Sequence, residues 1–376
     1  MTLLALMRYF LVLGTTGFGG PIALVGYMQR DLVEERRWFT ADEFSRGLAL
    51  AQISPGPLAA QLAAYLGWLR GGVRGAALSA VAFIAPSLAM VLVIAAVYVR
   101  FDKHEWLQRA FAAVGAAVIG ILARSAVKLS RMTLKRDRLL WIIAVANAAG
   151  VLLLRRESLL LLVAGGAAAV MIRFNVSKGR TLSMLPVSLI PFGTNVTQLI
   201  VASPLAQLFE YFAVAGVVVF GSGLAIVPYL FHGVVEQHHW LTERQFLDAI
   251  AVSMITPGPI VITVAFIGYL VAGVMGALIS ALAVFLPAWL LVVIVAPHFE
   301  RIRRNARARA FVDGVTAGAT GAIAGAALLL SMRVLTSVEA AVIAMAVVVL
   351  TSARVRCPEP LAIVAAATAG IAFGSR

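Results

Sequence analysis

Inside an apolar stretch the chain reads Gln52-Ile53-Ser54-Pro55-Gly56-Pro57, and about 202 residues later Met254-Ile255-Thr256-Pro257-Gly258-Pro259 repeats the pattern. Each copy removes two backbone donors through its prolines, and its glycine admits dihedrals closed to other residues. No continuous helix passes through such a string, so each apolar stretch must divide into two half-helices.

Outward from these strings the same displacement sets Phe18-Gly19 on Phe220-Gly221, Trp38 on Trp240, Thr40 on Thr242 and Phe44 on Phe246. One deletion later Gly72-Val73 falls on Gly273-Val274 and Pro86 on Pro287. So many ordered Gly, Pro and Trp matches indicate an internal duplication. The expected units are 1–180 and 204–376, with 181–203 as a linker or an extra crossing.

The solvent of this chain is lipid. Of 376 residues, 61% are hydrophobic and 13% charged, about half the charged share of a soluble domain. Stretches such as 76–99 and 311–330 match the roughly 20 helical residues that span a hydrocarbon core. They lack period-two alternation, which selects helices over a barrel. The expected fold is an all-α integral membrane protein, a polytopic helical bundle of two inverted-topology repeats with broken helices.

Six helical segments are expected per half: 3–28, 44–70, 73–99, 108–127, 139–154 and 158–172, then 205–230, 246–271, 274–297, 310–331, 336–352 and 359–374. Loop charge sets their direction. Lys128, Arg131, Lys135, Arg136 and Arg138 follow the fourth segment of the first half, whereas Arg301, Arg303, Arg304, Arg307 and Arg309 precede the fourth segment of the second. Basic loops stay on the cytoplasmic side, so equivalent helices run oppositely. That requires an odd number of intervening crossings, and with 184–203 as the odd one the expected total is about thirteen.

The net charge of +14 sits in short loops without interleaved aromatics, so a lipid bilayer rather than nucleic acid is the expected partner. A single cysteine, Cys357, excludes an internal disulfide framework and a cysteine metal cluster. The start of the chain lacks a basic leader and an A-x-A site, so the first helix is expected to remain in the mature protein.

Interrupted segments at matching places in inverted repeats are the sequence pointer to a transporter's binding site. A half-helix beginning at Pro57 presents the free N–H groups of Leu58, Ala59 and Ala60, with Ser54 as a nearby hydroxyl. Its counterpart at Pro259 presents Ile260, Val261 and Ile262 with Thr256 alongside. Two positive helix ends facing one another suit a small anion. Gln52, Gln61 and Thr263 add neutral donors, and a second glycine-rich break, Phe18-Gly19-Gly20-Pro21, is echoed by Phe220-Gly221-Ser222-Gly223. The candidate anion site therefore comprises Gly19, Gly20, Gln52, Ser54, Pro55, Gly56, Pro57, Leu58, Ala59, Gln61, Gly221, Ser222, Thr256, Pro257, Gly258, Pro259, Ile260 and Thr263. The plainer reading of the same residues is a packing kink.

Other signals point away from chemistry on bonds. His232, His238 and His239 lack the spacing of a helical zinc pair, so no metal is expected. Gly314-x-x-x-Gly318 and Gly321-x-x-x-Gly325 mark close helix packing. No P-loop string occurs, so no nucleotide cofactor is expected. Nor is there a nucleophile paired with a base, which argues against an enzyme. Glu210 and Asp313 are the acidic residues expected nearest the membrane interior, and no carboxylate relay is evident.

Taken together, the Phe-Gly-Gly-Pro string at Phe18, the stretch from Glu34 to Phe39, the Gln-x-Ser-Pro-Gly-Pro string at Gln52 and the duplicated halves resemble the long-chain, two-domain chromate ion transporters. The resemblance implies a multi-pass protein of the cytoplasmic membrane that exports chromate and confers chromate resistance, with sulfate as the look-alike oxyanion. Met254 stands where Gln52 has its repeat partner, a departure from equivalence between the halves. A passive anion channel and a membrane-embedded enzyme or lipid-handling protein are the alternatives, and the sequence leaves a homodimer open.

Overall fold

The computed structural model describes residues 1–101, 104–154, 159–174, 203–218, 223–299, 305–352, 355 and 357–373. Among them are fourteen α-helices and no strand. The first half holds α1 (Leu3–Thr16), α2 (Gly20–Gln29), α3 (Ala41–Ile53), α4 (Leu58–Phe101), α5 (Glu105–Thr133), α6 (Arg138–Leu154) and α7 (Leu159–Arg173). The second holds α8 (Pro204–Val218), α9 (Val227–Phe231), α10 (Glu243–Ile255), α11 (Thr263–Val295), α12 (Ala306–Val334), α13 (Val338–Leu350) and α14 (Glu359–Phe373). The stretch 184–202, expected to supply the odd crossing, lies outside the described residues.

The duplication reaches backbone detail. Thr40 and Thr242 each open a helix with a reciprocal capping box, closed by Glu43 and by Gln245. A π-turn precedes each box, at Arg30–Glu35 and His232–Gln237. Both α4 and α11 contain a reversal, at Gly71-Gly72 and at Ala272-Gly273, where Gly72 and Gly273 take φ of 56° and 60°. Each reversal folds the limbs of its helix side by side: a Cβ at Gly67 would run into Gly75 and Ser79, and one at Gly268 into Gly276 and Ser280. Only glycine permits that approach.

The first two expected segments of each half turn back on themselves. In 44–70, Gly47 of α3 lies against Leu62 and Tyr65 of α4. Arg70, at the far end of this limb, donates to the Trp38 carbonyl at 2.5 Å and lies 3.8 Å from Glu43. Both ends of the segment are therefore on one side, and Pro55-Gly56-Pro57 is the tip of a hairpin. In 3–28, Tyr9 of α1 donates to Asp31 at 3.1 Å beyond the end of α2, and Leu13 and Leu24 meet around Gly17. The second half repeats both hairpins. Tyr211 of α8 donates to the Tyr229 carbonyl of α9 at 2.7 Å, and Thr263 of α11 donates to Ser253 of α10 at 2.6 Å. The expectation of about thirteen crossings counted these hairpins as crossings. Length and hydropathy do not distinguish a folded-back apolar segment from a straight one.

The hairpins of the two halves enter from opposite sides. The second limb of α4, residues 73–101, is about 43 Å long. It begins beside Leu3 at the base of the first-half hairpins. At its middle Ser87 touches the second Pro-Gly-Pro turn, and near its end Tyr98 donates to Asp248 of α10 at 2.7 Å. Equivalent helices α5 and α12 run antiparallel, with Gly115 beside Val334 and Ala126 beside Ile323. The halves also interlock. α5 packs on α13 and α14 of the other half, and α12 packs its glycine face on α6 and α7. One core cluster draws on both halves. Among the described residues four helices, α4, α5, α11 with its leading turn, and α12, contain stretches long and apolar enough to cross a membrane. The protein is a multi-pass, all-α membrane bundle.

Candidate functional site

Three hairpin tips among the described residues set the geometry. At the first, Gly19 and Gly20 take φ of 103° and 74°, and at the two Pro-Gly-Pro turns Gly56 and Gly258 take 134° and 105°. Gly221 and Ser222 of the expected set lie outside the described residues; Gly223 sits against Ile260 and Val261.

The second Pro-Gly-Pro turn docks on the first half. Gly258 donates its N–H to the Gly17 carbonyl at 2.9 Å, and Ser87 donates to the Pro257 carbonyl at 2.7 Å. The reciprocal contact is apolar: Gly56 lies against Ala288, the repeat partner of Ser87. Within its own hairpin the first turn is braced by Gln61, which is buried and donates to the Pro55 carbonyl at 2.6 Å. At the equivalent place Thr263 bonds to Ser253, and Thr256 donates back to the Val252 carbonyl at 2.7 Å.

Beyond the turns, the starting amides of the next helices stand without backbone acceptors. The N–H groups of Leu58, Ala59 and Ala60, and those of Ile260 and Val261, make no hydrogen bond among the described residues. All five residues are buried. Buried N–H groups are almost always paired, and a helix start concentrates partial positive charge. The second start is a 3₁₀ turn, Ile260–Ile262, before α11. Ser54 is a buried residue whose hydroxyl makes no hydrogen bond among the described residues, so it does not cap α4. Gln52 is exposed, whereas its partner Met254 is buried.

Gly19, Gly20, Thr256, Gly258 and Ile260 of the expected set come together around a narrow crevice between the first tip and the second Pro-Gly-Pro turn. Pro55, Gly56, Pro57, Leu58, Ala59 and Gln61 belong instead to the other turn, and Pro257, Pro259 and Thr263 do not line the cavity: the Pro257 carbonyl accepts from Ser87, the Pro259 carbonyl from the Ile262 N–H, and Thr263 donates to Ser253. Two acidic residues that sequence reasoning missed lie inside the bundle. Asp248 is fully buried against Tyr98, and Glu359 lines the cavity. The nearest sequence signal for Asp248 was its place in an apolar helix opposite Arg46 in the repeat register. Glu359 was hidden by its position at an expected helix end.

The family model described as chromate transporter matches the chain twice, over residues 4–171 and 206–371. A protein of Synechococcus elongatus named probable chromate transport protein is 47% identical over 99% of this chain and 95% of its own length. The chromate transport protein of Cupriavidus metallidurans is 46% identical over 98% of this chain and 93% of its own. That of Pseudomonas aeruginosa is 30% identical over 85% and 78%. No solved structure matches the chain.

Proposed function

The chain belongs to the chromate transporter family, and from that premise we propose that it carries chromate out across the cytoplasmic membrane, binding the dianion at the hairpin tips. The reading rests above all on the buried amides at two helix starts, which make no hydrogen bond among the described residues. These supply fixed donors for an oxyanion without a buried cationic side chain whose charge would trap it. Sulfate, with the same tetrahedral shape and charge, is the expected competitor.

Transport needs the tips to part. The cavity is so constricted that it leaves room for little more than the centre of one water-sized sphere, and the Gly258 to Gly17 bond closes it. One half rocking against the other would break that bond and expose the amides to one side at a time. This constriction favours a carrier over an open channel. For a dianion leaving a cell negative inside, the potential supplies about 4.6 kcal/mol per 100 mV, so export or anion exchange needs no nucleotide.

The orientation follows from charge. Arg173 bonds to Asp137 at 2.5 Å and to Asp313 at 2.7 Å. These contacts bring the basic loop after α5 and the basic start of α12 to one face, the expected cytoplasmic one. Radiolabelled chromate flux in proteoliposomes tests the proposal. Saturable flux that sulfate inhibits is expected. Non-saturating flux would indicate a channel, and none at all would remove chromate as substrate.

A further inference from the structure

Among the described residues, one ionisable side chain lines the cavity at the tips. Glu359 is the first residue of α14 and lines the cavity together with Gly19, Gly20, Thr256 and Gly258. No cation among the described residues reaches the 4.0 Å of an ion pair with it. The charged groups that face it, Arg124 and Lys128, come from α5, the helix most closely packed on α14. From α10 the cavity receives Ser253 and Met254, from the turn after it Thr256, Gly258 and Ile260, and from the first tip Gly17 to Gly20, none of them ionisable. Glu339 of α13 lies beside Gly370, at the other end of α14. Cys357, two residues upstream, directs its thiol to the Pro358 carbonyl.

A negative carboxylate and a dianion sharing this cavity repel far more strongly than they would in water. We propose that Glu359 is the coupling residue of the site: its carboxylate takes up one proton before the oxyanion enters, so that anion and proton occupy the cavity together. The inference rests on the binding site proposed above. The proton comes from water on the side of entry and leaves to water on the side of release, so each dianion carries one fewer net charge across. A merely structural acid at a helix start would only favour the helix dipole and would leave substrate affinity independent of its protonation.

The test is the KM for exchange of radiolabelled chromate in proteoliposomes, at equal pH on both sides, between about pH 6 and pH 9. Wild type, Glu359→Gln and Glu359→Asp are compared at each pH, which cancels the protonation of chromate itself. The wild-type KM is expected to rise by up to about tenfold per pH unit above the carboxyl midpoint. Glu359→Gln should bind more tightly than wild type at the alkaline end and lose this rise, while Glu359→Asp keeps the rise with a displaced midpoint. A wild-type-to-Gln ratio constant across pH would overturn the proposal, with chromate transport left standing. If the Gln variant exchanges at no pH, the Asp variant decides: an unchanged pH profile or a complete loss would overturn it. Absence of exchange in the wild type would overturn both this inference and the binding site.

Discussion

The two Pro-Gly-Pro turns share a sequence and differ in what holds them. The first is braced inside its own hairpin, through Gln61 and the Pro55 carbonyl, and meets the other half in an apolar contact of Gly56 with Ala288. The second is tied across the halves, by Gly258 to Gly17 and by Ser87 to Pro257. An internal repeat thus preserves the turn while single substitutions, Ser87 against Ala288 and Gln61 against Thr263, reassign its partners. The second turn is the one that must detach if the halves move. The first moves as a piece of its own half.

The largest effect should come from filling either glycine. Gly258→Leu places a side chain onto Ser87, and Gly56→Leu places one onto Gln61 and Ala288, each at a positive φ. The backbone strain alone is about 1–3 kcal/mol. Both variants should insert normally and lose chromate flux in proteoliposomes. Normal flux in both would end the case for this site.

Next come the reversals, where the halves are alike. Gly67→Ala and Gly268→Ala each push a methyl into backbone of the facing limb, an overpacking cost of about 1–3 kcal/mol. Thermal melting in detergent should show similar losses for the two. A loss confined to one would mean that the halves differ at the hairpin bases as well as at the tips.

The asymmetry itself is tested by Ser87→Ala. It removes the bond to the Pro257 carbonyl at about 1 kcal/mol and makes the second seat resemble the first. The melting temperature should fall, and less so for Ala288→Gly, where no hydrogen bond is lost. A silent Ser87→Ala would erase the distinction drawn between the turns.

The smallest effect is expected at the hairpin base. Arg70→Ala removes a partly exposed ion pair with Glu43 and the bond to the Trp38 carbonyl, worth about 0.2–1 kcal/mol for such a pair. Comparing melting temperatures at low and high salt checks it. The difference between wild type and variant should shrink as salt screens the pair, and a salt-independent difference would assign Arg70 a packing role.

Much of this architecture was legible in the residues. The prolines forced the breaks, the displacement of Trp38 onto Trp240 and Thr40 onto Thr242 revealed the repeat, and the basic loops gave opposed directions. The hairpins were not legible, because two short apolar limbs sum to the length of one crossing. Their trace was the polar punctuation at both ends of 44–70, a capping Thr40 before it and Arg70 closing it, which only a fold-back puts on one side. Around the cavity Gly19, Gly20, Gly258 and Thr256 were readable from the motifs as candidates. Glu359 was not, since α14 carries it to the cavity from the far end of the chain.

The central claim is that an oxyanion sits where oppositely inserted hairpins meet. A structure determined with chromate bound, with chromium located by its anomalous scattering, tests it most directly. The account predicts chromium among the starting amides of the helices after Pro57 or Pro259, with the Gly258 to Gly17 bond opened. Chromium bound elsewhere in the bundle, with the tips still closed, would contradict it.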